Sequence, residues 1–166
     1  MIAVDILLDA LFAAIAGIGF GAISNPPRRA FAGIALLAAV GHAARYSLMT
    51  YFGAEIASAS FVAACIISFG GVWLAKKVHV PTTVLCIPAV LPMIPGKFAY
   101  DMVFSLIMFL KAMDNPEEKV KYMNMLFSNT IVTTTVIFLL AVGITFPMLL
   151  FPKRTSSMTR RKNRAK

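Results

Sequence analysis

The residues able to do chemistry in a largely apolar chain fall into two groups. The first is Gly41-His42-Ala43-Ala44-Arg45, where His42 and Arg45 stand three residues apart and share one face of a helix. Arginine presents a planar fork of donors that fits a carboxylate, and histidine exchanges a proton near neutral pH. The second group is Pro88-Ala89-Val90-Leu91-Pro92-Met93-Ile94-Pro95-Gly96-Lys97. Each proline lacks an N–H and collides with the carbonyl four residues earlier, so Val84, Pro88 and Leu91 are left with carbonyls short of partners. Gly96 then supplies permissive backbone, and Lys97 to Asp101 restarts a helix whose N-terminal end attracts an anion. The chemistry implied is the binding of a small carboxylate beside a broken helix, with Arg45 and His42 adding positive charge if they face the same cavity. Plainer roles stand beside these. Arg45 could snorkel to the nearer membrane face, His42 could bond a neighbouring helix, and the prolines could only kink a packing helix.

Asp5 and Asp9 lie one turn apart near the start of the chain. They offer a proton or cation site or, more simply, a solvated helix start whose carboxylates suit the positive end of the dipole. No nucleotide-binding G-x-x-x-x-G-K-[ST], no H-E-x-x-H and no G-x-S-x-G occurs, so neither an ATP-driven pump nor a membrane hydrolase is indicated. Cys65 and Cys86 sit inside apolar runs without C-x-x-C spacing and read as packing residues. No catalytic residue, cofactor or metal is therefore expected.

These residues need a scaffold, and composition decides its kind. With 59% hydrophobic and 14% charged residues in 166, and a mean hydropathy of +0.80, a water-soluble domain could not hide the apolar side chains. The apolar runs are about 20 residues long, the length of a membrane helix, and lack the alternation of barrel strands. The expected fold is all-α, a polytopic integral membrane protein with about five transmembrane helices. The spans fall at about 4–23, 30–50, 56–75, 78–110 and 122–151 within one transmembrane domain, 1–152, and the fourth is broken by Pro88, Pro92 and Pro95-Gly96.

In the first span Ala13, Gly17 and Gly21 form a ridge for close helix contact, and Gly19 adds a second glycine face suited to a further neighbour. In the second, His42 lies roughly 18 Å and Arg45 roughly 22 Å from the span's start, past the midplane, where a charge lines a cavity or pairs. Trp73 is an interface anchor. Lys111 to Lys121 reads as a polar loop. Asn129, Thr130, Thr133 and Thr134 make a polar stripe on the last span, more often helix glue than a solute path. Arg28-Arg29, Lys76-Lys77 and the tail 153–166, with seven basic residues and no acid, fall on one side of five crossings. The positive-inside rule makes that side cytoplasmic and leaves the N-terminus outside. The tail reads as a topology anchor drawn to anionic lipid, with no folded module for nucleic acid.

The segments Gly19-Phe20-Gly21, Asn25-Pro26-Pro27, Gly41-His42-x-x-Arg45, Ile87 to Tyr100 with its Pro-x-x-x-Pro-x-x-Pro-Gly block, and Asn129 followed by Gly143 and Pro147 resemble the threonine/serine exporter family. They are most similar to the small subunit of its split, two-component succinate-exporting form in bacterial inner membranes. The resemblance covers about residues 19–152. It implies a multi-pass subunit of a secondary exporter that works with a larger membrane partner, with possible higher oligomers. The solute would be a succinate-like dicarboxylate or, alternatively, threonine or serine; a scaffold subunit without a pathway of its own is a further alternative. Arg45, His42, Pro92, Pro95, Gly96, Lys97 and Asn129 are the substrate-binding candidates.

Overall fold

The computed structural model describes residues 2–150, so the basic tail at 153–166 lies outside the described residues. Six helices follow in order: α1 (Ile2–Ile23), α2 (Phe31–Phe52), α3 (Ile56–Val78), α4 (Thr82–Val90), α5 (Gly96–Lys111) and α6 (Pro116–Leu150), with 3-10 turns at Arg28–Ala30 and Leu91–Met93. The fold is all-α, with no strand among the described residues. α1, α2, α3 and α6 are each long and apolar enough to cross a membrane, and α4 with α5 adds a fifth if the broken pair counts as one span.

Among the described residues, 2–93 with 139–150 form one compact unit and 94–138 form another. In the first, α2 is central and packs against α1, α3 and α4. Ile34, Ile67, Leu85 and Met93 are its largest fully buried apolar side chains. Close approach is made possible by missing side chains. A Cβ on Gly41 would stand 2.6 Å from Ile67 Cγ1 and 2.8 Å from Met93 Cε, so the backbone of α2 presses directly on the 3-10 turn. The end of α6 joins this unit through Gly143, where a Cβ would stand 2.7 Å from Ala64 Cβ and 3.0 Å from the Phe61 carbonyl. Beside it the Ser68 hydroxyl donates to the Ile144 carbonyl at 2.6 Å.

α1 packs through one face. Ala13, Gly17 and Gly21 are buried as a small-residue ridge should be, and a Cβ on Gly17 would come 2.9 Å from Ala38 Cβ. The second glycine face expected at Gly19 meets nothing, because no atom lies within 4 Å of a Cβ built there. Leu7, Leu11, Phe12 and Ile15 are exposed. A membrane helix does not need to bury such side chains in protein, since lipid tails are as apolar as leucine.

Helix ends correct three boundaries. Val78 closes α3 and does not open the next span, because His79 turns left-handed at φ 56° and Pro81 follows two residues later. The segment read as a polar loop is largely helical from Pro116. The Asn115 side-chain oxygen accepts the N–H groups of Glu117 and Glu118 at 3.2 and 3.4 Å, proline fills the first helical position, and two glutamates sit at the positive end of the dipole. α6 consequently runs 35 residues, about 52 Å. In the fourth apolar run the interruption lies later than Pro88, which is buried inside α4. The helix gives way at Leu91–Met93, and Pro95, at φ −79° and ψ 70°, forms an inverse γ-turn closed by the Gly96 N–H on the Ile94 carbonyl at 2.8 Å. Gly96 takes no left-handed φ, so the turn draws on proline geometry and not on glycine's freedom.

Candidate functional site

The 3-10 turn carries a carbonyl that a continuous helix would have satisfied. Met93 O would accept the N–H of residue 97, but the helix restarts only at Gly96 and that bond is not made. In hydrocarbon an orphan carbonyl costs several kcal/mol. Arg45 on α2 supplies the missing donor, its Nη1–H reaching Met93 O at 2.9 Å. Spacing explains why this residue can do so. Gly41 brings α2 against Met93, and Arg45 lies one helical turn further along the same face.

His42 shares that face. It is 6% exposed, and its Nδ1–H donates to Asp9 Oδ2 on α1 at 3.1 Å, which fixes a proton on Nδ1. Nε2 is buried and completes no hydrogen bond, although the Pro92 carbonyl lies close enough to act on the ring. The two polar residues of the Gly-His-x-x-Arg segment thus bind α1, α2 and the broken stretch into one polar assembly. Two valences stay open in it. The guanidinium makes one hydrogen bond among the described residues, leaving four N–H donors. The Asp9 side chain is 35% exposed, within electrostatic reach of Arg45. A cationic fork and a half-exposed carboxylate stand beside an opened backbone.

The structure thus gathers Arg45, His42 and Pro92 of the sequence candidates. It adds Asp9 and the Met93 carbonyl. Pro95, Gly96, Lys97 and Asn129 belong to the second unit. There Lys97 is exposed in the first turn of α5 and forms no ion pair with Asp101 among the described residues; Asp101 instead accepts the Ser105 hydroxyl on its carbonyl. Thr130 donates to the Leu126 carbonyl at 2.7 Å, the backbone bonding expected of a membrane threonine. For Asp9 the sequence offers a proton or cation site or, more simply, a solvated helix start. Its one signal was the i, i+4 spacing from Asp5, which puts it a turn deeper into the apolar run.

The sequence matches the family described as "Threonine/Serine exporter, ThrE" over residues 9–150. The chain belongs to the threonine/serine exporter family. Its matched region begins at Asp9 and takes in His42, Arg45 and the proline block. An uncharacterized protein of Haemophilus influenzae (strain ATCC 51907 / DSM 11121 / KW20 / Rd) is 38% identical to this exporter-family chain over 102 residues, 61% of this chain and 34% of that protein. The chain thus corresponds to about a third of that relative's length. No solved structure matches it.

Proposed function

We propose that this chain is a subunit of a secondary exporter of threonine, serine or a similarly small amino acid. It would work in a bacterial inner membrane with a larger membrane partner. The observation that carries the reading is that the Arg45 guanidinium, bonded to the Met93 carbonyl, and the Asp9 carboxylate, bonded to His42, lie within electrostatic reach of one another. An amino acid is a zwitterion. Its carboxylate can take the open N–H groups of Arg45 as a charge-assisted pair, and its ammonium can approach the half-exposed carboxylate of Asp9. A dicarboxylate would meet repulsion at Asp9, and threonine and serine are the solutes in the family's description. The dicarboxylate expectation therefore gives way to its alternative.

The broken stretch suits such a path, since irregular backbone at membrane depth is tolerated where it lines a cavity or is held by protein. His42, bonded to Asp9 on the helix face it shares with Arg45, is placed to link proton transfer to these two charges. The larger partner is proposed because the chain covers a third of its relative, so other membrane segments would complete the path. The basic pairs Arg28-Arg29 and Lys76-Lys77 support a topology with the N-terminus outside.

The test is transport of labelled threonine, serine and succinate by vesicles holding the chain with its co-purifying partner. Saturable threonine or serine movement is expected, falling at least tenfold in Asp9→Asn with the complex intact. Succinate carried better than either amino acid, or full threonine transport by Asp9→Asn, would overturn the amino-acid reading.

A further inference from the structure

On the side of the first unit away from Asp9 and Arg45, α2 and α3 leave an apolar groove of about 200 Å³, lined by Leu36, Val40, Ile66, Gly70, Trp73 and Leu74. Gly70 opens it, because a Cβ there would come 2.9 Å from Leu37 Cδ2 and close the floor. From Ile66 to Trp73 the groove follows α3 for about 10 Å. A membrane-facing groove of this kind would ordinarily be filled by any acyl chain. Its mouth is what distinguishes it.

At the mouth the Lys77 ammonium lies over the Trp73 ring, 3.8 Å from its centroid. Lys76 is the next residue, and the antiparallel start of α2 brings in Arg28 and Arg29. Arg29 is tied to the end of α3 by its Nη2–H on the His79 carbonyl at 2.9 Å, which holds the two helix ends and their charges together. Four exposed cations surround this end, with no acidic residue among 23–36 or 70–84. The apolar slot thus leads directly to an aromatic ring and a ring of positive charge. These are complementary to the chain, interfacial region and phosphate of one molecule.

We propose that this groove is a binding site for an anionic phospholipid, with one acyl chain between α2 and α3 and the phosphate on Lys77 and its basic neighbours. Phosphate is held by point charges and arginine forks, and each basic residue near an anionic surface contributes about a fivefold preference. Gly70 sets the depth of the slot and Trp73 marks the interfacial level. The site stands apart from the Arg45 assembly and does not depend on what the exporter carries.

Trp73 is the sole tryptophan, so its fluorescence reports on the groove directly. The purified full chain is reconstituted in phosphatidylcholine vesicles containing a small fraction of phosphatidylglycerol, and either lipid is brominated at mid-chain in turn. Quenching by brominated phosphatidylglycerol should saturate at low mole fraction and exceed that by brominated phosphatidylcholine. The preference should fall about fivefold in Lys77→Gln and further in Lys76→Gln/Lys77→Gln. It should persist in Lys119→Gln, a lysine remote in sequence from the groove. Each variant is normalised to its own unquenched emission, which separates lipid exchange from loss of the Lys77–Trp73 contact. Equal quenching by both lipids would mean ordinary boundary lipid. Quenching by neither, in a folded protein, would mean that a second copy of the chain covers the groove. Either result overturns the proposal.

Discussion

Replacing Arg45 by lysine would divide two jobs that the guanidinium holds at once. One is structural. A charged donor at 2.9 Å satisfies the Met93 carbonyl, and such a bond contributes about 1.5–3 kcal/mol, with a further penalty if the carbonyl is left bare. The other is the proposed reception of a carboxylate by the donors that remain. Lysine has a flexible stem and three donors, so Arg45→Lys keeps one charged bond to Met93 and should cost under about 1 kcal/mol of stability. It cannot keep that bond and also offer a planar pair. Losing one charge-assisted bond to the solute, about 1.5–3 kcal/mol, corresponds to a roughly 10- to 150-fold weaker affinity. Arg45→Gln loses the charge as well, so it should forfeit most of the Met93 contribution and nearly all transport. Thermal denaturation in detergent measures the first effect, and threonine uptake into vesicles containing the chain with any partner that co-purifies measures the second. Lysine at wild-type transport would refute the solute role and leave Arg45 as a backbone cap.

Pro92→Ala/Pro95→Ala restores two N–H groups and lets the helix close over the Met93 carbonyl, so the folded protein should gain stability and lose export. Full transport by the folded double variant would show that the prolines shape packing alone. Gly143→Val should destabilise by about 1–3 kcal/mol, since Ala64 and the Phe61 carbonyl offer rigid backbone-borne neighbours, whereas Gly19→Ala, facing open space, should cost nothing. Equal melting temperatures for the two glycine variants would contradict the packing described. A cysteine placed at Asn115 should be labelled from outside the cell and one at Ser157 only from inside; labelling of both from one side would remove the orientation.

The fold class was legible because apolar run length is a property of composition, and the bilayer sets that length. The break was legible because proline has no N–H. Its position was not, since Pro88 and Pro92 are alike in sequence and only their surroundings differ: Pro88 is held inside α4, while the turn after Val90 bends. The start of α6 carried its signals in full, in Asn115-Pro116-Glu117-Glu118, but the density of charge suggested a loop. His42 and Arg45 stood out as polar residues in an apolar run. Their partners did not, because Asp9 lies 33 residues away on another helix and the Met93 acceptor is a backbone carbonyl, which sequence does not mark. Tertiary proximity and main-chain valence are both invisible to local pattern.

The brevity of α4 has a consequence for how this protein is made. At nine residues it measures about 14 Å, less than half the hydrocarbon thickness, and it is too short to be recognised as a membrane segment by itself. α2 and α3 differ: only Gly53, Ala54 and Glu55 join them, with Gly53 left-handed at φ 60°, so the ribosome can deliver them to the bilayer as one hairpin. α4 follows that hairpin in the chain, and the Met93 carbonyl in the turn just beyond its end meets Arg45 on α2. Its place is therefore fixed by docking against α1, α2 and α3 and not by its own length.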